Sequence, residues 1–109
     1  MCIRDRIKES WFRNAWSDLE QFFDYDKLTM PLAVRNRRGK ELFSPLGFAG
    51  TKKLKEYLID LKVDRDRRGR IPLICQGDQV VWVVGYGIND KVKVDEMTKR
   101  ILRIAVRPT

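Results

Sequence analysis

The sequence predicts a single α+β domain, with one or two helices packed on a small, mostly antiparallel sheet or barrel. The chain has 109 residues, which is the size of one domain. Residues 51–62 carry an apolar stripe at helical spacing, and several short apolar or alternating segments follow residue 70, as in strands. A hydrophobic fraction of 43% supplies one modest core, and a charged fraction of 35% supplies the surface.

The first element predicted is an N-terminal segment, residues 1–21, set apart from the domain at 22–109. Its helical character comes from apolar residues at the spacing of one helix face, namely Phe12, Trp16, Leu19 and Phe23. Residues 28–34 then alternate apolar and other side chains, which is typical of a strand. Pro31 cannot donate a hydrogen bond to a neighbouring strand, so this strand is expected near a sheet edge.

The clearest helix is predicted over 51–62, with Thr51 as its N-cap. The apolar stripe that supports it consists of Leu54, Tyr57, Leu58 and Leu61. Residues 71–84 then read as a hairpin with a Gly-Asp turn, whose second strand is apolar throughout and therefore buried on both faces. Alternation over 91–94 and 102–106 predicts two further strands.

The composition excludes several kinds of catalytic site. There is no histidine, so neither a Ser-His-Asp triad nor a histidine zinc helix can form. The two cysteines, Cys2 and Cys75, form no CxxC motif, which favours a reducing, cytoplasmic location. Cys75 lies in an apolar strand and is interpreted as a buried packing thiol. No run approaches the ~18 apolar residues of a membrane span, so no membrane partner is expected.

Positive charge is concentrated in the middle of the chain. The net charge is +8, and residues 35–70 hold twelve basic and five acidic side chains, which is +7 of that total. A basic surface of this kind attracts polyanions, either nucleic acid or an anionic membrane face. A solvated face that keeps the protein soluble explains the charge about equally well.

Three segments supply the candidate RNA phosphate-binding residues. The first is a polar turn with Arg35, Asn36, Arg37 and Arg38. The second is a glycine-containing loop that leads into a helix start with Lys52 and Lys53. The third is a connection with Arg68 and Arg70, which also carries Asp64 and Asp66. A helix start favours an anion, so a bound phosphate would relieve the repulsion between the two lysines. The arginines of the last segment are expected to be partly paired with its aspartates. Solvent exposure alone remains the alternative for every segment.

The chain resembles the C-terminal region of bacterial tRNA(Ile)-lysidine synthase over roughly residues 22–106. The shared strings, in order, are FDYDKL at 23–28, PLAVRNRR at 31–38, PLG at 45–47, GTKKLK at 50–55, RIPL at 70–73 and KVKV at 91–94. The chain departs from the family at 39–43, where a Pro-Gly-Asp-Arg-Phe pattern is usual. It departs again at Gly87, where the family often has an arginine.

The resemblance implies an α+β module related to one in the β subunit of phenylalanyl-tRNA synthetase. The family's ligase joins lysine to a tRNA wobble cytidine, with ATP and Mg²⁺ held by an N-terminal domain whose SGGxDS signature this chain lacks. The implied role here is non-catalytic tRNA binding without a cofactor. The resemblance aligns the segments of Lys52–Lys53 and Arg35–Arg37 with the family's tRNA-handling region, so these side chains are expected to lie side by side. The implied partners are an isoleucine tRNA, on its acceptor-stem side, and the catalytic domain; a homodimer stays open. The alternative is a structural domain that packs on the catalytic region and touches RNA little.

Overall fold

The computed structural model describes residues 20–106, which form eight short strands and two short helices. In chain order the elements are β1 (Glu20–Asp24), β2 (Ala33–Arg35), β3 (Leu42–Phe43), β4 (Lys52–Lys53), α1 (Leu54–Asp60), α2 (Arg65–Arg68), β5 (Leu73–Gln76), β6 (Gln79–Val83), β7 (Gly87–Ile88) and β8 (Ile101–Ala105). Single 3-10 turns lie at Tyr25–Lys27 and Asp90–Val92.

The strands form two sheets. Five strands lie in the order β2-β5-β6-β3-β4, β7 adds to β6, and β1 pairs with β8 in a separate two-stranded sheet. All these pairings are antiparallel except that of β3 with β6, where Leu42 lies opposite Gln79. The predicted α+β class with a mostly antiparallel sheet is therefore confirmed.

The β5–β6 hairpin is the centre of the domain. It turns at Gly77-Asp78, as predicted, and Gly77 has the positive φ of 63° that this turn requires. Residues 80–83 of β6 are fully buried because both sheet faces are covered. One face packs on the β1–β8 sheet through Trp82 and Phe23, and the other packs on α1 through Val83 and Leu58. The domain is thus three layers, with the larger sheet in the middle.

The start of the described chain differs from the prediction. Phe23 belongs to strand β1 and not to a helix face, and β1 begins at Glu20, before the predicted boundary at residue 22. The side chain of Phe23 lies opposite Leu102 of β8 and packs on Trp82 at 6.1 Å between ring centroids. This tertiary packing outweighs a local helical spacing. Phe12, Trp16 and Leu19 lie outside the described residues.

The strand predicted over 28–34 shrinks to Ala33–Arg35 but does lie at the edge of its sheet. Further upstream, the backbone N–H of Thr29 donates to the side chain of Gln76 at 2.8 Å. A side-chain acceptor thus replaces the strand partner, which ends the ladder before residue 33. The strand predicted over 91–94 is also wrong: Asn89 accepts from the N–H of Lys91 at 2.8 Å and turns the chain into a 3-10 turn.

The helix predicted over 51–62 is shorter than expected, running from Leu54 to Asp60. Thr51 is not its N-cap, because Lys52 and Lys53 extend as β4 and pair with β3. At the other end the chain reverses at Lys62, whose φ is 59°. Leu61 is therefore left 46% exposed, and Val63 packs against the core in its place.

Gly87 is required by the position of Tyr57. A Cβ at residue 87 would lie 2.8 Å from the Tyr57 hydroxyl oxygen and 3.9 Å from its Cζ. The Tyr57 ring is held against Phe43 at 4.7 Å between centroids, so it has little freedom to withdraw. A side chain at residue 87 would therefore require the Tyr57 ring to shift.

We expect Gly87→Ala to lower the free energy of unfolding by about 1–2 kcal/mol, the ordinary cost of overpacking. In a Tyr57→Phe background the close oxygen is gone, and the same change should cost less than about 0.5 kcal/mol. Urea unfolding of the four proteins of this double-mutant cycle measures the coupling. Equal losses in both backgrounds would contradict the contact.

Candidate nucleic-acid interface

A buried carboxylate organises the loop between β2 and β3. Glu41 is 3% exposed. Its oxygens accept hydrogen bonds from the Arg35 guanidinium, from the N–H of Arg38 at 2.8 Å and from the N–H of Gly39 at 2.9 Å. Burial by itself would raise the pKa of Glu41, but these bonds outweigh it and lower the pKa to about 2. The buried Glu41 carboxylate therefore fixes the conformation of the loop that carries the arginines.

Arg35 serves this internal network. Besides Glu41, its guanidinium donates to the carbonyl of Asn36 at 3.1 Å and to that of Gly77 at 3.2 Å. Its side chain is 12% exposed. Among the predicted phosphate-binding residues, Arg35 is thus placed to hold the loop in shape.

Asn36 links two of the predicted segments. Its side-chain amide donates to the carbonyl of Ile71 at 3.4 Å. This hydrogen bond joins the polar turn to the end of the 65–70 connection. In the sequence, these segments are separate basic clusters. The structure places them side by side, so their cations act on one region of the surface.

A pocket of about 330 Å³ opens where the Arg-rich loop meets the start of α1. The pocket is lined by Gly39, by Glu41 and by three cationic side chains, those of Arg37, Lys53 and Lys55. The predicted proximity of Lys53 to Arg37 is therefore present. Lys55 was missed by the sequence analysis, although it follows the buried Leu54 in the same GTKKLK string and faces solvent.

Lys52 is directed away from this pocket. Its ammonium pairs with Asp60 at 2.7 Å and lies 5.3 Å from the centre of the Phe48 ring. The first N–H of α1, that of Leu54, donates to the carbonyl of Glu41 at 3.0 Å and is therefore not free to bind an anion. The anion site predicted at the helix start stays a prediction.

The arginines of α2 and its flanks are not paired with their neighbouring aspartates. Within the described residues, no ion pair within 4.0 Å joins Asp64 or Asp66 to a basic side chain, so the predicted local pairing is wrong. Arg68 carries a buried Nε with no hydrogen-bond partner, and Arg70 is exposed.

The cations on the β1–β8 side of the domain are mostly neutralised. Lys27 pairs with Asp95, and ion pairs also join Lys93 to Asp90, Arg100 to Asp26 and Arg103 to Glu20. By contrast, no ion pair within the described part of the chain involves Arg37, Arg38, Lys53, Lys55, Arg65, Arg67, Arg68 or Arg70. Uncompensated positive charge is therefore concentrated around the pocket and the adjoining α2.

None of the helices in the described residues is long and apolar enough to cross a membrane. The described residues contain no group of three or more Cys, Asp or Glu side chains suited to hold a metal ion. Cys75 is buried, as predicted, and burial raises the pKa of its thiol to about 11.

The structure is a small three-layer α+β module with unpaired cations around one pocket. A family model described as "TilS substrate C-terminal domain" matches residues 32–106. The chain belongs to this family and represents the C-terminal domain of a tRNA(Ile)-lysidine synthase.

Similar proteins agree on this family. The tRNA(Ile)-lysidine synthase of Caldanaerobacter subterraneus subsp. tengcongensis is 50% identical over 84 residues, which cover 77% of this chain and 18% of that protein. That of Dehalococcoides mccartyi is 43% identical over 91 residues, which cover 84% of this chain and 19% of that protein. The chain therefore spans about a fifth of the length of these curated relatives.

Solved structures support the fold. A crystal structure of a TilS C-terminal domain matches with a TM-score of 0.64 at 28% identity, over 79% of this chain and 66% of that one. An N-terminal fragment of the phenylalanyl-tRNA synthetase β subunit from Pyrococcus horikoshii matches with a TM-score of 0.60 at 22% identity, over 77% of this chain and 26% of that one. The second likeness concerns the fold alone.

Proposed function

We propose that this chain is a non-catalytic tRNA-binding domain, which positions tRNA for a lysidine-forming active site elsewhere in its enzyme. The observation that carries the proposal is the unpaired cluster of cations around Arg37, Lys53 and Lys55, beside an arginine-rich α2. Basic side chains on a rigid scaffold grip backbone phosphates and so fix the register of an RNA. A-form RNA offers mainly phosphates, shape and 2′-hydroxyls, so this domain contributes affinity and orientation more than base recognition.

The role of the eight predicted residues is proposed accordingly. Arg37, Arg38, Lys53, Arg68 and Arg70 contact phosphates, and Lys55 joins them. Arg35 and Asn36 position the loop through Glu41 and Ile71. Lys52, paired with Asp60, contributes at the edge of this surface.

We propose further that the chain holds neither ATP nor Mg²⁺ and has no ligase activity alone. The glycine-containing loop at 47–50 leads into a strand that pairs with β3, and it does not cradle a helix start. The Cys75 thiol, with its pKa near 11, is not a thiolate nucleophile at neutral pH. The proposed partners are an isoleucine tRNA, through its acceptor-stem side, and the catalytic domain of the same enzyme in the cytoplasm.

A packing role on the catalytic domain has one observation in its favour. The outer face of the β1–β8 sheet exposes Phe22 and Ile101, which are 46% and 57% accessible. Such residues suit a protein contact, but they lie on a different layer from the cationic pocket. The packing role and the tRNA-binding role therefore predict different results for RNA binding by the chain alone.

We expect the 109-residue chain to bind tRNA weakly and with strong salt dependence. If about five phosphates are neutralised, log K should fall with log[salt] at a slope of about −3.5 to −4.5. Fluorescence anisotropy at several salt concentrations between 50 and about 200 mM measures this slope. A purely structural domain predicts almost no binding at low salt, and equal affinity for random double-stranded DNA would reduce the interaction to charge attraction.

A further inference from the structure

The pocket beside the Arg-rich loop has a net positive lining. The one carboxylate in it, Glu41, already accepts three hydrogen bonds, and its charge is balanced by Arg35. Arg37, Lys53 and Lys55 add three cations for which the described residues provide no ion-pair partner. Like charges gathered around one concavity repel each other unless an anion lies between them.

Arg37 gives the second, independent observation. Its Nη1 is buried and has no hydrogen-bond partner. Buried donors in native proteins are nearly always satisfied, and a charged donor left without an acceptor costs more than a neutral one. Arg37 also lines the pocket, and the planar fork of a guanidinium matches the geometry of phosphate oxygens.

The charge of the pocket lining favours one kind of phosphate. A phosphodiester inside an RNA strand carries one negative charge, and chain must leave it on two sides. A terminal phosphomonoester carries a charge of about −1.5 to −2 at pH 7, has three free oxygens and continues on one side only. Three cations around one concavity match the terminal group better.

The loop geometry keeps the pocket open for such a group. Gly39 lines it with φ at 97°, a conformation in which residues with a side chain are disfavoured, and a Cβ there would meet nothing within 4 Å. The N–H of Gly39 is directed to Glu41. The loop is therefore held in place from below while its pocket side carries no side chain at this point.

We infer that this pocket is a site for a terminal phosphomonoester, specifically the 5′-phosphate at the end of an RNA strand, held by Arg37, Lys53 and Lys55. The inference rests on the proposed tRNA binding and adds to it a recognised chain end. Phosphate contacts inside the strand would then fall to the neighbouring arginines of α2.

The test compares one tRNA in two forms, with its 5′-monophosphate and after phosphatase treatment, by anisotropy titration of the 109-residue chain. The phosphorylated form should bind about tenfold more tightly, as expected for charged hydrogen bonds to one group. Arg37→Gln and, separately, Lys53→Gln should bring the two forms within about twofold of each other. Lys99→Gln removes the same charge beside Asp26, away from the pocket, and should leave the tenfold preference intact.

The outcomes separate this site from the wider function. Equal binding of both RNA forms by the unmodified chain would overturn the terminal-phosphate site and leave the proposed tRNA binding in place. Failure to bind either form would overturn the proposed function itself. Adenosine monophosphate is the probe for a free small phosphomonoester: if it competes as strongly as the phosphorylated RNA, the pocket belongs to small molecules and not to an RNA end.

Discussion

Replacing Glu41 by Gln should lower the free energy of unfolding by about 3 kcal/mol. The ordinary pKa of 4.5 falls to about 2 in the folded domain, and each pH unit corresponds to about 1.4 kcal/mol. The change also leaves Arg35 without its charge partner in a place where it is only 12% exposed. Breaking a buried pair from one side typically costs about 3–5 kcal/mol, which agrees with the pKa argument.

The same residue makes stability depend on pH. The folded pKa of Glu41 is lower than the unfolded one, so its contribution is fully present above about pH 4.5 and is lost as pH falls toward about 2. Other carboxylates with lowered pKa values, such as Asp26 and Asp95, contribute a background in the same direction. The difference between the unmodified chain and Glu41→Gln isolates the term that belongs to Glu41.

Asp60→Asn is the matched control for this prediction. It also removes one carboxylate from an ion pair, that with Lys52, but Asp60 is 65% exposed in its side chain. Exposed pairs contribute about 0–1 kcal/mol, so this variant should be nearly neutral. Chemical unfolding at pH 7 and pH 3 compares the two variants. Similar losses for both, or a pH-independent gap for Glu41→Gln, would show that the internal network does not stabilise the loop.

The sequence predicts the central layers of this domain better than its periphery. The β5–β6 hairpin carries a strong turn signal and a continuous apolar strand, and α1 carries the Leu54–Leu58 spacing, so both elements were found. The short strand Lys52–Lys53 was missed because two lysines resemble a solvated helix turn. Its pairing with Leu42 and Phe43 is a tertiary contact that no local pattern contains.

The candidate site shows the same division. The basic segments were visible as charge density, since twelve cations fall within 35–70. The different roles of these basic residues were not visible, because the roles depend on Glu41. In the sequence, Glu41 is a single carboxylate after a glycine and a lysine. Only the fold shows that this carboxylate is buried, that it binds Arg35 and that Arg37 is left with an unpartnered donor.

The largest effect on binding is expected from removing all three pocket cations, Arg37→Gln with Lys53→Gln and Lys55→Gln. Because the three cations hold one terminal phosphate, tRNA affinity should fall by about tenfold, the contribution of that phosphate. The salt slope should become shallower by about 1, since about 0.7–0.9 is lost per phosphate contact. Stability should change little, because none of these side chains belongs to the buried clusters on either face of the sheet.

The matched control removes three positive charges from the opposite layer, with Lys93→Gln, Lys99→Gln and Arg100→Gln. Two of these cations are already paired, Lys93 with Asp90 and Arg100 with Asp26. Both triple variants have the same net charge, so a purely long-range attraction would weaken them equally. We expect the control to lose less than about fivefold in tRNA affinity, since screening beyond about 10 Å removes most of its influence at 0.1 M salt. If the control weakens binding as much as the pocket variant, the RNA is held by the total charge of the domain and the pocket has no special role.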